Sequence, residues 1–197
     1  MPKAADPEER RAEIVAAAAR LIAEEGPEAM TMRKIATEAG CTIGRLNHWF
    51  DSKDDLVEAV LEHASSAAVT RSGASMRGEE TRLDDVLAQF LPLDDTRVDE
   101  LRVWLVFWAL SIGRPNLRAG YARRVDRIRG QLQRHLARTH PEADPEALAD
   151  LLMATVDGIA VNALAEPGYW TKERQLETLR RLLGLAVDTK AGATLRA

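Results

Sequence analysis

The chain has 197 residues, of which 46% are hydrophobic and 29% are charged, and its formal net charge is −4 at pH 7. This length and apolar content are enough to bury a core, which excludes a disordered chain. The longest apolar run, residues 103–110, is far shorter than the roughly 20 residues that span a bilayer, and the polar N-terminus lacks the apolar segment of a signal peptide. We therefore predict a soluble, cytoplasmic protein with no membrane partner. Its single cysteine, Cys41, cannot form an internal disulfide and fits a reducing compartment.

The first forty residues predict two helices. Asp6 and Pro7 start the first helix, as a side-chain cap followed by a proline at the first helical position, and Gly26 ends it. The second helix runs from about Met32 to Ala39, where apolar residues recur at helical spacing. Gly40 then stands where a left-handed C-cap residue would stop the helix.

A third helix, from about Ile43 to Phe50, follows almost at once behind the cap residue Thr42. It is only about two turns long, and such a helix is marginal in water unless packing holds its inner face. A fourth helix begins at Lys53 behind Ser52, with Asp55 placed to complete a capping box.

The rest of the chain also has helical spacing, and no run of alternating β-branched residues occurs, so we predict an all-α fold. The glycine- and serine-rich stretch after about Thr70 is interpreted as a linker or mobile turn. Five further helices are expected: a short one at 83–90, an apolar one ending at Gly113, a basic one that includes Tyr121 to Leu136, and two at about 145–165 and 172–187. The predicted domains are residues 1–52 and 53–190, with a loose tail at 191–197.

The outward face of the third helix mixes hydrogen-bonding and apolar groups that have no use in a core. These residues are Thr42, Ile43, Arg45, Asn47 and His48. Such a face on a helix this short indicates that a partner outside the protein contacts it.

The N-terminal part of the chain resembles the DNA-binding head of the TetR family of regulators. The resemblance covers roughly residues 11–60, where AAARLIAEEG, TMRKIATEAG, NHWF and SKDDLVEAV occur in the order and spacing of the family. The chain has Asn47 where the family usually has an aromatic residue, and Cys41 where it has a valine-like one. The remainder resembles the choline-responsive BetI branch more weakly, through FLPLDD, RVWLVFWAL and PNLRAGYARR.

This resemblance implies a three-helix helix-turn-helix head, with the third helix in the major groove and the second across the DNA backbone. On this sequence, Arg45 would contact guanine, Asn47 adenine and Ile43 a thymine methyl. Gly44 would allow a close approach of the backbone to the groove. Phosphate contacts are expected from Thr31, Thr42, His48, Trp49 and Lys53, whereas Arg33 suits either task. The implied function is a repressor that binds a palindromic operator as a dimer and is released by a small molecule.

A helical bundle for dimerisation and ligand binding would follow the head. Two leucine-rich faces predict a four-helix contact between subunits. They comprise Leu148, Leu151, Leu152, Thr155, Val156 and Ile159 in one helix and Leu176, Leu179, Leu182, Leu183 and Leu185 in the next. Burial of both faces within one subunit is the alternative. The candidate effector site consists of aromatic residues and two polar residues in an apolar helix: Trp104, Phe107, Trp108, Tyr121, Asp157 and Asn162. Aromatic faces with a carboxylate suit an organic cation, although aromatic residues at this spacing also form ordinary core.

The sequence leaves two other function classes to consider, an enzyme and a protein-interaction module. An enzyme is disfavoured, because the four histidines do not combine with Cys41 at the spacing of a metal site and no catalytic constellation is evident. No cofactor, metal site or catalytic residue is therefore expected. The second alternative is a helical protein-interaction module that lacks sequence-specific DNA binding. A steep dependence of binding on salt distinguishes phosphate contacts from protein contacts.

Overall fold

The computed structural model describes residues 7–76 and 82–187, and within these ranges the regular structure is entirely helical. Short 3₁₀ turns occur at Pro27–Ala29 and Ala88–Phe90. The α-helices of these ranges are α1 (Pro7–Glu25), α2 (Met32–Glu38), α3 (Ile43–Trp49), α4 (Lys53–Ser75), α5 (Leu83–Leu87), α6 (Asp95–Gly113), α7 (Pro115–Thr139), α8 (Pro145–Ala165) and α9 (Lys172–Val187). The all-α prediction is confirmed. The predicted cap at Asp6 and the tail at 191–197 lie outside the described residues.

The linker prediction after Thr70 is wrong for its first part, because α4 continues through Ser75. The serine content favoured a turn in the prediction. In the structure, however, Ser72 is fully buried and its hydroxyl donates to the Val69 carbonyl at 3.1 Å. Arg71 is half-buried, and its guanidinium donates to the Gln89 carbonyl at 3.5 Å. Packing therefore extends the helix through residues that would favour a turn in isolation. Residues 77–81, which the prediction also covered, are outside the described residues.

The chain forms two compact units. Unit 1 comprises Met1–Ala67 and Asp99–Arg124, and unit 2 comprises Ala68–Val98 and Val125–Ala197. Unit 1 therefore contains α1 to α3 together with the first part of α4, most of α6 and the first part of α7. The functional boundary predicted after residue 52 remains a prediction.

One hydrophobic core holds unit 1 together. Leu46 and Phe50, on the inner side of α3, are 0% and 1% exposed and belong to the same buried cluster as Ile14 of α1. Val103 and Phe107 of α6 complete that cluster. Burying a side chain of this size contributes about 1.5–3 kcal/mol, so the short α3 is stabilised by packing and not by its own length.

In unit 2, α8 packs against α9, and α5 also contacts α9. A buried carboxylate reinforces the second contact: Asp84 accepts hydrogen bonds from Arg82 at 2.9 Å and from Arg180 of α9 at 3.1 Å. These two guanidinium groups, that of Arg82 first, hold the pKa of Asp84 below its usual value. Among the described residues, α8 is also the one helix with the length and apolar content of a membrane span. Seven of its residues are buried, and length and composition alone do not identify a membrane span.

Part of the leucine-rich surface of α8 and α9 is internal and part is exposed. The internal residues are Leu148, Leu152, Val156, Ile159, Leu179 and Leu183. The exposed ones are Leu151 at 53%, Leu182 at 36% and Leu185 at 70%. Complete burial of both faces within one chain, the alternative considered from the sequence, is therefore wrong.

Candidate nucleic-acid interface and effector site

The turn between α2 and α3 is fixed by backbone hydrogen bonds. Gly40 has φ +60°, a conformation that suits glycine, and its N–H donates to the Thr37 carbonyl at 3.1 Å. The next N–H, of Cys41, donates to the Ala36 carbonyl at 2.8 Å. Together these bonds form a Schellman motif, as the sequence predicted from Gly40. The direction in which α3 leaves α2 is thus set locally.

Side-chain caps are present at the starts of α2, α3 and α4, and those of Thr42 and Ser52 were predicted from the sequence. Thr31 accepts from the Lys34 N–H at 3.2 Å, and Thr42 accepts from the Arg45 N–H at 3.2 Å. Ser52 likewise accepts from the Asp55 N–H at 3.1 Å. The predicted capping box is incomplete in one respect. The Asp55 carboxylate accepts a hydrogen bond at 3.3 Å from the N–H of Asp51, the residue before the cap residue Ser52, and not from that of Ser52 itself.

The predicted base-reading residues Ile43, Arg45 and Asn47 are all exposed on α3. Buried Leu46 fixes the rotation of this helix, so the residues on its opposite side face solvent. The exposed residues of this surface are Ile43, Gly44, Arg45, Asn47 and His48. Ile43 is 45% exposed, so its side chain is accessible to a partner. We call this set the α3 surface.

The predicted phosphate-binding residues differ in their exposure. Thr31, Arg33 and Lys53 are exposed at or near the starts of α2 and α4. Trp49 is half-buried, and its indole N–H is covered without a hydrogen-bond partner among the described residues. Its ring contacts that of His48, edge to face, with centroids 5.4 Å apart. A phosphate contact by Trp49 therefore requires its side chain to rotate.

Two arginines of α1 support this region and were missed from the sequence. Arg10 donates to the Ala39 carbonyl, at the end of α2, at 3.1 Å. The Arg11 guanidinium lies over the Phe50 ring, 4.9 Å from its centroid. No local signal marks either residue, because both contacts join positions far apart in the sequence.

Among the aromatic residues predicted for the effector site, the structure brings together Trp104 and Tyr121. Their rings lie in unit 1 with centroids 5.0 Å apart and planes inclined by 36°, and both side chains are half-buried. Phe107 is 1% exposed and belongs to the core beneath the head. Trp108 is 42% exposed. Among the aromatic residues predicted for this site, Trp104 and Tyr121 thus offer faces that are close together and partly open.

The two polar residues predicted for the effector site lie on α8 in unit 2. Asp157 and Asn162 are both exposed, and the Asn162 side-chain amide donates to the Gly158 carbonyl at 2.7 Å. The pKa of Asp157 is raised by partial loss of hydration. Both residues thus lie exposed on the apolar helix that the sequence predicted, and their binding role stays a prediction. Within the described ranges, no group of three His, Cys, Asp or Glu side chains is placed to hold a metal ion.

Comparison with known proteins identifies the two halves of the chain separately. Residues 14–60 match the family model described as bacterial regulatory proteins of the tetR family, and residues 79–187 match that of the BetI-type transcriptional repressor C-terminal domain. The chain belongs to the TetR family. The family consists of transcriptional regulators and not enzymes, and the BetI-type match places this chain in the branch that the sequence resembled.

Similar proteins support the assignment of this TetR-family chain along most of its length. A BetI regulator from Burkholderia mallei is 32% identical over 165 residues, which cover 81% of this chain and 84% of that protein. A transcriptional regulator from Rhodococcus sp. Rha1 superposes with a TM-score of 0.82 at 30% identity, covering 89% of this chain and 95% of the other. A regulator from Saccharomonospora viridis, solved in complex with choline, gives 0.81 at 25% identity, covering 89% and 96%.

These relatives settle the class of function. The TetR-family chain is a ligand-responsive transcriptional regulator with an N-terminal helix-turn-helix domain and a C-terminal helical domain. Family members bind operator DNA as dimers and respond to small molecules. The alternative of a helical protein-interaction module without sequence-specific DNA binding receives no support.

Proposed function

We propose that this regulator is a cytoplasmic repressor that binds an inverted-repeat operator as a homodimer and is released by an organic cation. The observation that carries the proposal is the α3 surface: Arg45 and Asn47 are exposed on a two-turn helix that buried Leu46 holds in place. A side chain on such a helix can enter the major groove without disturbing the core. Arg45 and Asn47 have the donor and acceptor geometry that distinguishes guanine and adenine edges.

Dimerisation is proposed to use the exposed face of α8 together with that of α9. Leu151, Gly158 and Asn162 are exposed at intervals of seven and four residues and thus lie on one side of α8. Leu182 and Leu185 are exposed on α9. Large exposed apolar side chains on two neighbouring helices mark an interaction surface. A second copy of the chain would bury them in a four-helix contact and place two heads on one operator.

The effector is proposed to bind at the Trp104–Tyr121 pair. Aromatic faces attract cations, and quaternary ammonium groups are recognised by clusters of such rings. The choline complex of the Saccharomonospora viridis regulator supports an effector of this class. The ligand roles that the sequence suggested for Asp157, Asn162, Phe107 and Trp108 stay predictions and are not part of this proposal.

Replacing Arg45 with alanine should weaken operator binding by about 1–3 kcal/mol, or roughly 5- to 150-fold, and relax the sequence preference at one position. Replacing Lys53 should instead weaken all sequences alike and lower the salt slope by about 1. Fluorescence anisotropy with the operator and single-base variants, at several salt concentrations, separates the two effects. Equal losses on every duplex for both variants would contradict these roles.

Selection of bound DNA from a random duplex pool tests the proposed function as a whole. The purified full chain, without added effector, is expected to enrich an inverted repeat, because two-fold symmetric heads read symmetric half-sites. A single unpaired half-site would argue against the dimer on DNA. Failure to enrich any sequence would overturn the proposal.

Choline is expected to quench the fluorescence of the Trp104–Tyr121 site and to bind more tightly than 3,3-dimethylbutan-1-ol, its neutral carbon isostere. The positive charge supplies the difference, since a cation–π contact contributes about 0.5–2 kcal/mol. Trp104→Leu should weaken choline binding measured by calorimetry, whereas Trp170→Leu serves as the matched control in unit 2. Equal binding of the two isosteres would exclude cation recognition.

A further inference from the structure

Helix α4 carries three acidic residues at four-residue intervals, and all of them meet arginines within unit 1. The ion pairs join Asp54 to Arg114 at 3.3 Å, Glu58 to Arg123 at 3.8 Å and Glu62 to Arg124 at 3.0 Å. A spacing of four residues places the carboxylates on one side of a helix. The first part of α4 is thus connected by ion pairs to α7 and to Arg114, the residue just before α7.

Arg124 differs from the other two arginines because it is buried and contacts backbone. It is 8% exposed, and its Nη1 donates to the Gly120 carbonyl at 2.9 Å. Its Nη2 donates to the Glu58 carbonyl of α4 at 3.1 Å. A guanidinium remains charged when buried, and its planar fork can hold several acceptors at once. Arg124 therefore connects the backbones of α4 and α7, whereas Arg114 and Arg123 join exposed side chains.

Gly120 lies at the junction where this turn of α7 meets α4. A Cβ atom added to Gly120 would lie 2.6 Å from Oε1 and 3.1 Å from Cδ of Glu58. Both atoms are at the far end of a flexible side chain, which can move away, so this contact does not hold the two helices together. The buried Arg124 guanidinium donates to backbone carbonyls of both helices, and it is therefore the contact that connects this turn of α7 to α4.

The junction is next to the aromatic pair in the chain. Tyr121 follows Gly120 directly and precedes Arg124 by three residues, which is about one helical turn. On the other side, α4 starts only three residues after Phe50, the C-cap residue of α3. One turn of α7 thus separates the proposed effector site from the helix that continues into the reading head.

We propose that Arg124 is the positioning residue that couples the aromatic pair to the reading head, an inference that rests on the proposed function. The Trp104 and Tyr121 ring centroids are 5.0 Å apart, so a trimethylammonium group that enters between them has to separate the rings. Displacement of Tyr121 moves its turn of α7, and the Arg124 contacts pass that movement to the Glu58 backbone of α4. DNA at the head must then affect the aromatic pair by the same coupling free energy.

The first test measures operator affinity with and without saturating choline. Wild-type protein is expected to lose about 5- to 150-fold in affinity, the usual range of allosteric coupling. Arg124→Met should bring this factor close to 1, and Arg124→Lys should reduce it, because an ammonium group cannot hold the same acceptors in a fork. Arg102→Met is the matched control, since it removes an exposed arginine whose ion pair within the described residues is with Asp99 on its own helix. An unchanged factor in folded Arg124→Met would overturn the inference and leave the proposed function standing.

A second measurement needs no small-molecule effector. It therefore tests the role of Arg124 separately from the proposal that choline-like cations bind at the aromatic pair. Hydrogen exchange of the amides in residues 115–124 is measured with and without the selected operator duplex. DNA binding should change exchange in this segment of wild-type protein and of Arg102→Met but not in Arg124→Met. The same change in all three proteins would overturn the role of Arg124. If choline has no effect on wild-type protein while this exchange pattern holds, the effector assignment fails and the positioning role of Arg124 is supported.

Discussion

Leu151→Glu is expected to convert the dimer to monomers and to reduce operator affinity by at least about 100-fold. Leu151 is 53% exposed on the α8 face proposed to meet a second subunit. In a two-fold contact the substitution introduces a carboxylate from each subunit into an apolar surface, and an uncompensated buried charge costs about 3–5 kcal/mol. Sedimentation velocity gives the oligomeric state, and anisotropy on duplexes with one or two half-sites gives the affinity.

Ala137→Glu is the control for this prediction. Ala137 is exposed on α7 and is not part of the surface proposed for the dimer, so the same charge should leave both the dimer and its affinity unchanged. Monomeric Leu151→Glu should also bind one and two half-sites with similar affinity per site, because the second head is no longer linked to the first. A dimeric Leu151→Glu variant with wild-type affinity would place the subunit contact elsewhere.

The elements of the head could be predicted from the sequence because their limits are encoded locally. Thr31, Thr42 and Ser52 each accept the backbone hydrogen bond expected of a cap residue, and Gly40 has the positive φ expected after α2. Each of these features depends on a few neighbouring residues. The prediction of a linker or turn after Thr70 was wrong for residues 71–75 because their structure is not encoded locally. Burial of Ser72 in a tertiary contact outweighs the preference of serine for turns.

The candidate sites could be predicted only in part. Helical spacing placed the α3 surface correctly, since buried Leu46 determines which side faces solvent. The same spacing could not sort the aromatic residues of α6, because an all-round apolar helix does not reveal which side packs inward. The structure shows that Phe107 is buried in the core, whereas the ring of Trp104 contacts that of Tyr121. The role of Arg124 depends on a contact with a helix 66 residues earlier and leaves no local pattern.

Phe50→Ala should lower the free energy of unfolding of unit 1 by about 3–5 kcal/mol, the usual cost of removing a buried phenyl ring and leaving a cavity. Phe50 is 1% exposed and its ring also lies under the Arg11 guanidinium. It follows the last turn of α3, so its loss removes the packing that a two-turn helix needs. Urea unfolding followed by circular dichroism, at one fixed protein concentration, measures the difference.

Arg11→Ala separates the ring's burial from its cation–π contact. This change leaves the ring in the core and should cost only about 0.5–1 kcal/mol. Phe50→Leu, which keeps most of the buried volume, should fall between the two and retain operator binding. If Phe50→Ala were no less stable than Arg11→Ala, α3 would not depend on the core beneath it, and the rigid presentation of Arg45 and Asn47 would need another cause.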